Sequence, residues 1–169
     1  MLLALNFMHK KNIMHRDLKP ENILCEAASD IANDELVIKL TDFGFAVKYD
    51  PNKKETLSLG SPLYMAPELC KETQYDFKVD VWAVGVIAFV LLTGTPPFYD
   101  KINRGKDGIY QSIIKDEPDY SLLSNVSGYA REFCELALTK DPRDRPTIED
   151  LLANNWIVRL EENQRNSAR

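Results

Sequence analysis

Residues 15–24 read HRDLKPENIL, and this segment decides how the rest of the chain is interpreted. Within it, Asp17 is followed by Lys19 and then by Asn22. A carboxylate can accept a proton, a lysine supplies positive charge, and carboxylate and amide oxygens bind hard cations. The segment therefore has the groups of an acid–base or metal-assisted site, and its partners must come from elsewhere in the chain.

The composition is that of an ordinary globular protein. Of the 169 residues, 44% are hydrophobic and 28% are charged, and the net charge is −5. This acidic balance argues against nucleic acid or an anionic membrane as a partner, because both attract basic surfaces. Cys25, Cys70 and Cys134 are widely spaced and form no CxxC pair, which predicts reduced thiols and a cytoplasmic, or also nuclear, location.

Residues 81–92, VWAVGVIAFVLL, contain no charged side chain and predict a buried helix. The run is about half of the ~20 residues that a helix needs to cross a bilayer. Asp80 precedes it and Gly94 follows it. A helix that is apolar on all sides and too short for a membrane belongs in a protein core, so we predict no membrane partner.

The remaining patterns predict a mostly helical fold with one small antiparallel hairpin. Residues 2–8 have helical spacing without a capping signal, and residues 22–25 and 36–40 read as the two strands of the hairpin. Two further helices are predicted: residues 130–138, with Phe133, Leu136 and Ala137 on one face, and residues 147–160, with Pro146 at the first turn.

Two more motifs follow the opening segment in order, DFG at 42–44 and APE at 66–68. The hairpin joins the loop that ends at Asn22 to the loop that begins at Asp42, so the oxygens of these two side chains can converge. Carboxylate and amide oxygens suit Mg²⁺, which keeps phosphate oxygens and water in its shell. A metal, a lysine and a separate carboxylate are what phosphoryl transfer needs, because its catalysis is mostly positioning and electrostatics.

Each feature taken alone has a simpler structural interpretation. Asp17 could cap a turn, the DFG motif could be a turn with Gly44 at positive φ, and Asp80 could be a helix N-cap. Glu68 and Arg145 could be solvated charges. These interpretations do not predict one another, whereas a single function would account for all of the motifs together.

In combination, HRDxxxxN, DFG and APE resemble the motifs of the protein kinase family. The resemblance runs from the first helix to Trp156. It implies the C-terminal lobe of a kinase over residues 1–160, followed by a polar tail over residues 161–169. GSPLYMAPEL, LLTGTPPF and DPRDRPT further resemble the calcium/calmodulin-dependent group and its calcium-dependent relatives, with Asn-Asn-Trp at 154–156 where that group often has His-Pro-Trp.

The resemblance implies catalytic and cofactor-binding roles. Asp17 would be the catalytic base, and Lys19 would sit beside the transferred phosphate, as is typical of serine/threonine kinases. Asn22 and Asp42 would bind Mg²⁺, with ATP as the second cofactor. The nucleotide site would be lined by Glu21, Asn22, Leu24, Thr41 and Asp42, with Leu24 under the adenine ring.

Other residues would hold these groups in place. His15 would stack on Phe43, and Asp80 would accept N–H bonds from the HRD loop. Ser61 stands where a threonine is usual and would bridge Asp17 and Lys19. The implied structural and regulatory residues are His15, Arg16, Phe43, Gly44, Ser61, Glu68, Asp80 and Arg145, with Glu68 and Arg145 forming an ion pair.

The resemblance also suggests regulation, because kinases with an arginine before the catalytic acid often need a phosphate to neutralise it. The usual acceptor position is Leu57, which cannot be phosphorylated. Our hypothesis is that an upstream kinase modifies Thr56 or Ser58 instead. The alternative is that Glu55, or no residue, fills this role.

Parts of a kinase are not found among the 169 residues: there is no GxGxxG loop and no VAIK-like strand lysine before HRD. We expect the missing N-terminal lobe in the full-length protein, which would phosphorylate Ser/Thr hydroxyls of protein substrates, and we expect this chain alone to be inactive. Without that lobe, apolar surface near Leu24, Leu40 and Phe43 should be uncovered. The alternative is a non-catalytic interaction module or truncated isoform that acts through its substrate- or partner-docking surface.

Overall fold

The computed structural model describes residues 1–27, 36–53, 55–101 and 104–160; the predicted tail at 161–169 lies outside them. Helices dominate this part of the chain, as predicted. The α-helices are α1 (Leu2–Lys10), α2 (Pro67–Cys70), α3 (Lys78–Thr93), α4 (Lys106–Lys115), α5 (Gly128–Ala137) and α6 (Ile148–Leu152). The strands are β1 (Ile13–Met14), β2 (Ile23–Ala27), β3 (Leu36–Leu40) and β4 (Val47–Lys48), and 3₁₀ turns cover Pro20–Asn22, Pro62–Tyr64 and Tyr120–Leu123.

The four strands form two small antiparallel ladders on either side of the HRD segment. Strands β2 and β3 pair with Ile23 opposite Leu40, which confirms the predicted hairpin, although β2 continues to Ala27 rather than ending at residue 25. Strands β1 and β4 form a second ladder that the sequence patterns did not predict, with Ile13 opposite Lys48. The HRD segment is therefore held between β1 and β2.

Helix α3 forms the core of the fold. Every residue from Val79 to Phe89 is buried, and the Trp82 ring stacks on Phe98 with centroids 5.4 Å apart. The prediction of a buried helix is confirmed for this stretch but is wrong for the last turn, where Leu91 is 77% exposed. The helix ends at Gly94, whose φ of 74° lets its N–H reach the Val90 carbonyl at 2.8 Å. No helix among the described residues is both long and apolar enough to cross a membrane.

Helix α5 packs on α3 through a face that contains two of the three residues predicted to share a face. Phe133, Cys134 and Ala137 are buried, but Leu136 is 39% exposed, so it does not share the burial of Phe133 and Ala137. Each residue advances the helix by about 100°, which puts Leu136 roughly 110° from the centre of the buried stripe. Leu136 continues the i, i+3 spacing of apolar residues that starts at Phe133, but it lies outside the face of α5 that contacts α3.

The predicted C-terminal helix is divided into two parts. Thr147 and Asp150 form a capping box that starts α6, so Pro146 precedes the cap instead of occupying the first turn. Helix α6 ends at Leu152, and a second helical segment covers residues 155–160. The Asn154 side chain accepts a hydrogen bond from the Trp156 N–H at 2.9 Å, which starts this second segment. A continuous helix over 147–160 is therefore wrong.

Gly85 lies where α3 meets α5, and the contact leaves no room for a side chain. A Cβ at this position would be 2.8 Å from the Ala137 Cβ and 3.0 Å from the Leu138 Cδ2. We expect Gly85→Ala to lower the free energy of unfolding by about 1–3 kcal/mol in urea denaturation, because overpacking outweighs the better helix propensity of alanine.

The matched control is Gly128→Ala, since an added Cβ at this first residue of α5 meets nothing within 4 Å. We expect it to raise the free energy of unfolding by about 0.4–1 kcal/mol, because alanine restricts the unfolded chain. Equal effects of the two substitutions would show that close packing at Gly85 is not what the fold requires.

Candidate active site

Asp80, the third residue of α3, fixes the backbone of the HRD segment. Its carboxylate is 1% exposed and accepts the N–H groups of His15 at 2.9 Å and Arg16 at 2.8 Å. The His9 Nε2 lies 2.9 Å from the same carboxylate. A buried carboxylate needs such partners. The N-cap interpretation of Asp80 is wrong, because the cap position of α3 is Phe77.

The Asp17 carboxylate is buried, and both of its oxygens have donors. Oδ1 accepts the Ser61 N–H at 2.9 Å and the Ser61 Oγ at 3.1 Å. Oδ2 accepts Lys19 Nζ at 2.9 Å and Asn22 Nδ2 at 3.2 Å. Lys19 Nζ also donates to Ser61 Oγ at 2.9 Å, so Ser61 bridges Asp17 and Lys19. Asp17 therefore does more than cap a turn, because its carboxylate accepts hydrogen bonds from Lys19, Asn22 and Ser61.

These contacts decide the charge of the site. Burial by itself raises the pKa of the Asp17 carboxyl, but hydrogen bonds from Lys19 and Ser61 and the charge of Lys19 outweigh it, so the pKa lies below its ordinary value. The hydrogen bond to Asp17 raises the pKa of Lys19 in turn. At neutral pH the pair is therefore a carboxylate beside an ammonium.

The hairpin brings Asn22 and Asp42 to the same end of the two strands. The Thr41 N–H donates to the Asn22 carbonyl at 2.9 Å, just before Asp42. The Asn22 Nδ2 donates to the Asp17 carbonyl at 2.8 Å, which leaves the side-chain carbonyl oxygen of Asn22 as an acceptor that a cation could use. Asp42 is exposed, and its Oδ1 accepts the Gly44 N–H at 3.2 Å.

This donor set fits Mg²⁺ bound together with a phosphate group. One carboxylate and one amide oxygen are too few to surround the ion, and no cluster of three or more His, Cys, Asp or Glu in the described part of the chain could do so. Mg²⁺ usually keeps several waters and takes phosphate oxygens as ligands. Asp42 and Asn22 are therefore suited to hold a metal that a nucleotide also ligates.

The backbone at Asp42 differs from the simple turn considered for DFG. The positive φ, 56°, belongs to Asp42 and not to Gly44. A non-glycine residue in this region is uncommon, and such strain often lies at functional sites. Phe43 packs on His15 with ring centroids 5.3 Å apart, and the His15 Nε2 lies 3.1 Å from the Thr41 carbonyl oxygen.

The surface beside this turn is apolar. Leu24 is 54% exposed and Phe43 is 53% exposed, whereas Leu40 is half-buried. Among the other residues expected to line a nucleotide site, Glu21 is exposed and Thr41 is half-buried. The expected apolar surface is therefore present around Leu24 and Phe43, and these side chains could contact a flat apolar group such as a base.

Arg16 points toward the segment that follows DFG. Its Nε donates to the Phe45 carbonyl at 2.7 Å, and its Nη1 donates to the Tyr75 hydroxyl at 2.9 Å. The carboxylate that faces it is Glu55, 3.7 Å away. Thr56 is exposed and Ser58 is half-buried. Nothing in the sequence patterns identified Tyr75, since its proximity to Arg16 arises only in the folded chain.

A buried ion pair joins the APE helix to the turn before α6. Arg145 donates from Nη1 to Glu68 Oε1 at 2.7 Å and from Nη2 to Glu68 Oε2 at 3.0 Å. Its remaining donors reach the carbonyls of Thr139 at 2.9 Å, Lys78 at 2.7 Å and Lys140 at 3.2 Å. The interpretation of Glu68 and Arg145 as solvated charges is wrong.

Comparison with known proteins shows the family of the chain. Residues 1–157 match the family model of the protein kinase domain. The chain is 41% identical over 156 residues to an Aurora kinase of Saccharomyces cerevisiae, covering 92% of this chain and 39% of that protein. It is 37% identical over 158 residues to a calcium/calmodulin-dependent protein kinase type 1 of Caenorhabditis elegans, covering 92% of this chain and 43% of that protein.

A third relative is an SNF-related serine/threonine-protein kinase of Rattus norvegicus, 37% identical over 155 residues, which cover 91% of this chain and 19% of that protein. The chain thus spans less than half the length of each of these three proteins. It belongs to the protein kinase domain family. Because an Aurora kinase and a calcium/calmodulin-dependent kinase both match, the comparison does not separate the subgroups.

The contacts of Asp17 predict a measurable titration. In ¹³C NMR of the carboxyl groups, we expect the Asp17 midpoint to lie below the ordinary value of 3.8, and Ser61→Ala to move it upward because a donor to the carboxylate is lost. Because the folded-state pKa is lowered, the stability that Asp17 contributes is complete above pH 3.8 and is lost as the pH falls through the folded-state pKa. Ser124→Ala, at an exposed serine that makes none of the contacts of Asp17, is the control and should leave the midpoint unchanged.

The Glu68–Arg145 pair predicts a large loss of stability when one partner is removed. We expect Arg145→Met to lower the free energy of unfolding by about 3–5 kcal/mol, because the Glu68 carboxylate is left buried without its partner. Arg131→Met, which removes an exposed i,i+4 pair with Glu135, should cost less than about 0.5 kcal/mol. Similar losses in the two variants, measured by urea denaturation, would contradict the structural role of the buried pair.

Proposed function

We propose that this chain carries the catalytic half of a Mg²⁺- and ATP-dependent serine/threonine protein kinase. The observation that carries the proposal is the Asp17 carboxylate, held by Ser61 and Lys19 next to Asn22 and close to the turn at Asp42. Phosphoryl transfer needs positioned charges more than covalent chemistry, and this cluster supplies positioned charges of both signs.

The Asp17 carboxylate would accept a hydrogen bond from the hydroxyl group of a substrate serine or threonine. Because its pKa is lowered, the carboxylate is a weak base and would orient the hydroxyl first, accepting its proton only when bond formation has made that hydroxyl acidic. The hydrogen bonds from Ser61 and Lys19 prevent the carboxylate from turning. Lys19 would also balance the negative charge of the phosphoryl group.

Asn22 and Asp42 would hold Mg²⁺, which, when bound, would neutralise charge on the phosphate oxygens of ATP. Leu24 would contact the adenine ring with its exposed side chain, and Glu21 and Thr41 would complete that side of the nucleotide site. The Phe43–His15 contact and the Asp80 hydrogen bonds would keep the metal-binding and proton-accepting residues at a fixed separation.

The substrate class rests on the surroundings of Asp17 and on the relatives. A lysine two residues after the catalytic acid is typical of kinases that act on serine and threonine, and two of the three relatives reported above are named as serine/threonine or calcium/calmodulin-dependent kinases. We propose protein substrates, membership of the calcium/calmodulin-dependent group, and a cytoplasmic or nuclear location. Nucleic acid and membrane partners stay disfavoured by the net charge of −5.

Phosphoryl transfer would also require elements that the 169 residues do not contain. The glycine-rich loop and the strand lysine that hold ATP phosphates in kinases have no counterpart in this sequence. We therefore propose that residues 1–169 alone do not transfer phosphate and that an N-terminal lobe completes the site. The alternative function, a non-catalytic module that binds kinase partners or substrates, would use the same C-terminal surface without the chemistry.

A chimera tests the proposal directly. The N-terminal lobe of a related kinase would be joined ahead of Met1, and transfer of ³²P from ATP to a mixture of serine, threonine and tyrosine peptides would be measured with Mg²⁺. We expect phosphorylation of serine or threonine peptides, and a loss of about 10²–10⁴-fold in kcat for Asp17→Asn, because the proton acceptor is removed. Asp42→Asn should raise the Mg²⁺ concentration needed for half-maximal rate.

The control variant is Asp144→Asn, an exposed carboxylate in the turn before α6, which should leave the rate within twofold. ATP binding by the chimera would be followed separately by fluorescence of a nucleotide analogue. A folded chimera that binds ATP but transfers no phosphate would contradict the kinase proposal and favour the non-catalytic module.

A further inference from the structure

A cavity of about 520 Å³ opens near the end of α3 that is farther from the HRD segment. Phe89 forms part of its wall and lies nine residues beyond Asp80, which corresponds to about 14 Å along a helix axis. None of the described residues that contact the Asp17 carboxylate lines this cavity. The volume falls within the roughly 300–1,000 Å³ of typical ligand pockets. The cavity is therefore separate from the candidate active site.

Rings and apolar side chains form much of the cavity wall. Pro96, Pro97 and Tyr99 come from the loop after α3, and Leu122 comes from the 3₁₀ turn that follows α4. Tyr99 is 54% exposed and Leu122 is 49% exposed. Single exposed apolar residues are common on proteins, but these two flank a concave surface, where one occupant can cover both. The wall therefore favours an occupant with apolar groups.

Two carboxylates complete the lining. Glu117 is exposed and accepts no hydrogen bond from the part of the chain that the structure describes. Asp119 Oδ1 accepts the N–H of Ser121 at 3.0 Å and its Oγ at 2.5 Å. These hydrogen bonds lower the pKa of the Asp119 carboxyl, so the group is ionised at neutral pH. Both donors are neutral, and the negative charge of Asp119 is therefore not compensated by them.

Lys101 also lines the cavity, but its charge is balanced by a different carboxylate. Its Nζ pairs with Asp116 at 3.0 Å, and that hydrogen bond raises the pKa of Lys101. Within the described residues no ion pair joins Lys101 to Glu117 or Asp119. The Lys101 Nζ lies 5.6 Å from the centre of the Tyr99 ring, which shows that a cation can approach this ring.

Lys140 is a second cation that responds to Glu117. The charge of Glu117 raises the pKa of Lys140 against the larger, lowering effect of burial. The Lys140 Nζ donates to the Ile113 carbonyl at 2.6 Å and lies 4.0 Å from the centre of the Phe98 ring. A carbonyl and a ring thus hold this half-buried ammonium, and the exposed Glu117 carboxylate stays open to a further partner.

We propose that this cavity binds an arginine of a partner protein, with apolar residues on either side of that arginine. A guanidinium is planar, carries five donors and can bind a carboxylate while its face lies on an aromatic ring. Glu117 and Asp119 would accept its N–H groups, and Tyr99 would contact its face. Leu122 would contact a flanking apolar side chain. A lysine would fit this lining less well, because its ammonium is a compact and strongly hydrated charge.

The position of the cavity makes the partner independent of the substrate hydroxyl. Because α3 separates the cavity from the HRD segment by about 14 Å, the partner would bind without occupying Asp17. The proposal therefore does not depend on phosphoryl transfer, and it is tested by binding alone.

The test titrates the ¹⁵N-labelled chain of 169 residues with the peptide acetyl-Gly-Leu-Arg-Leu-Gly-amide and follows the backbone amide signals by NMR. We expect the largest shifts at Tyr99, Glu117 and Leu122 and small shifts at Lys19 and Ser61. The matched peptide carries citrulline in place of arginine, which keeps the shape and removes the charge. We expect its Kd to be at least fivefold higher.

Variants of the chain separate the charge from the apolar contacts. Glu117→Gln should raise the Kd of the arginine peptide about two- to fivefold, as expected for one exposed ion pair, and should leave that of the citrulline peptide unchanged. Tyr99→Leu keeps an apolar side chain and should weaken the arginine peptide more than the citrulline peptide. The control is Glu132→Gln, at an exposed glutamate of α5, which should leave both values unchanged. Thermal unfolding verifies that each variant is folded.

Three results would overturn the proposal. Equal affinities for the arginine and citrulline peptides would show that the charge is not recognised. Shifts centred on Lys19 and Ser61 would place the peptide at the candidate active site instead. No shifts at millimolar peptide would show that the cavity does not bind this chemistry. A chimera without kinase activity would remove the proposed function and leave the binding result intact, and a failure of binding would leave the chimera result intact.

Discussion

The carboxylate of Asp80 lies beneath the HRD segment and accepts two consecutive backbone N–H groups, from His15 and Arg16. Peptide groups of a loop lack the regular partners of a helix or strand, so a buried loop needs such an acceptor. Arg16 itself has a φ of 69°, which costs free energy unless neighbouring contacts fix it. The position of Asp17, the next residue, depends on this hydrogen-bonded corner.

These hydrogen bonds are held in place because Asp80 belongs to the buried helix α3. Helix α3 is buried from Val79 to Phe89 and places Asp80 at the edge of the core, where the carboxylate is shielded but still within reach of the loop. The Arg145 guanidinium packs over Trp82 of the same helix and binds Glu68. One buried helix thus supports the HRD segment through Asp80 and the helix that carries Glu68 through Arg145.

Charge organises the surface above this core. Arg16 and Asp17 are neighbours in one loop, and each forms an ion pair. Arg16 pairs with Glu55, and Asp17 pairs with Lys19. Both pairs reach across to the segment that ends at Ser61. This arrangement ties the Asp17 carboxylate to the segment that ends at Ser61, because Ser61 donates two hydrogen bonds to it.

The sequence by itself determined the chemical groups, the family and the helical core, because HRDxxxxN, DFG, APE and the apolar run at 81–92 are local patterns. It did not determine which apolar side chains face inward: Leu136 and Leu91 are exposed because their helices meet partners on other faces. Nor could it place Tyr75 beside Arg16, or decide between Glu55 and the other candidates for the group that faces Arg16. Their distance from Arg16 is set by the path of a long loop over the core, and only the tertiary structure fixes that path.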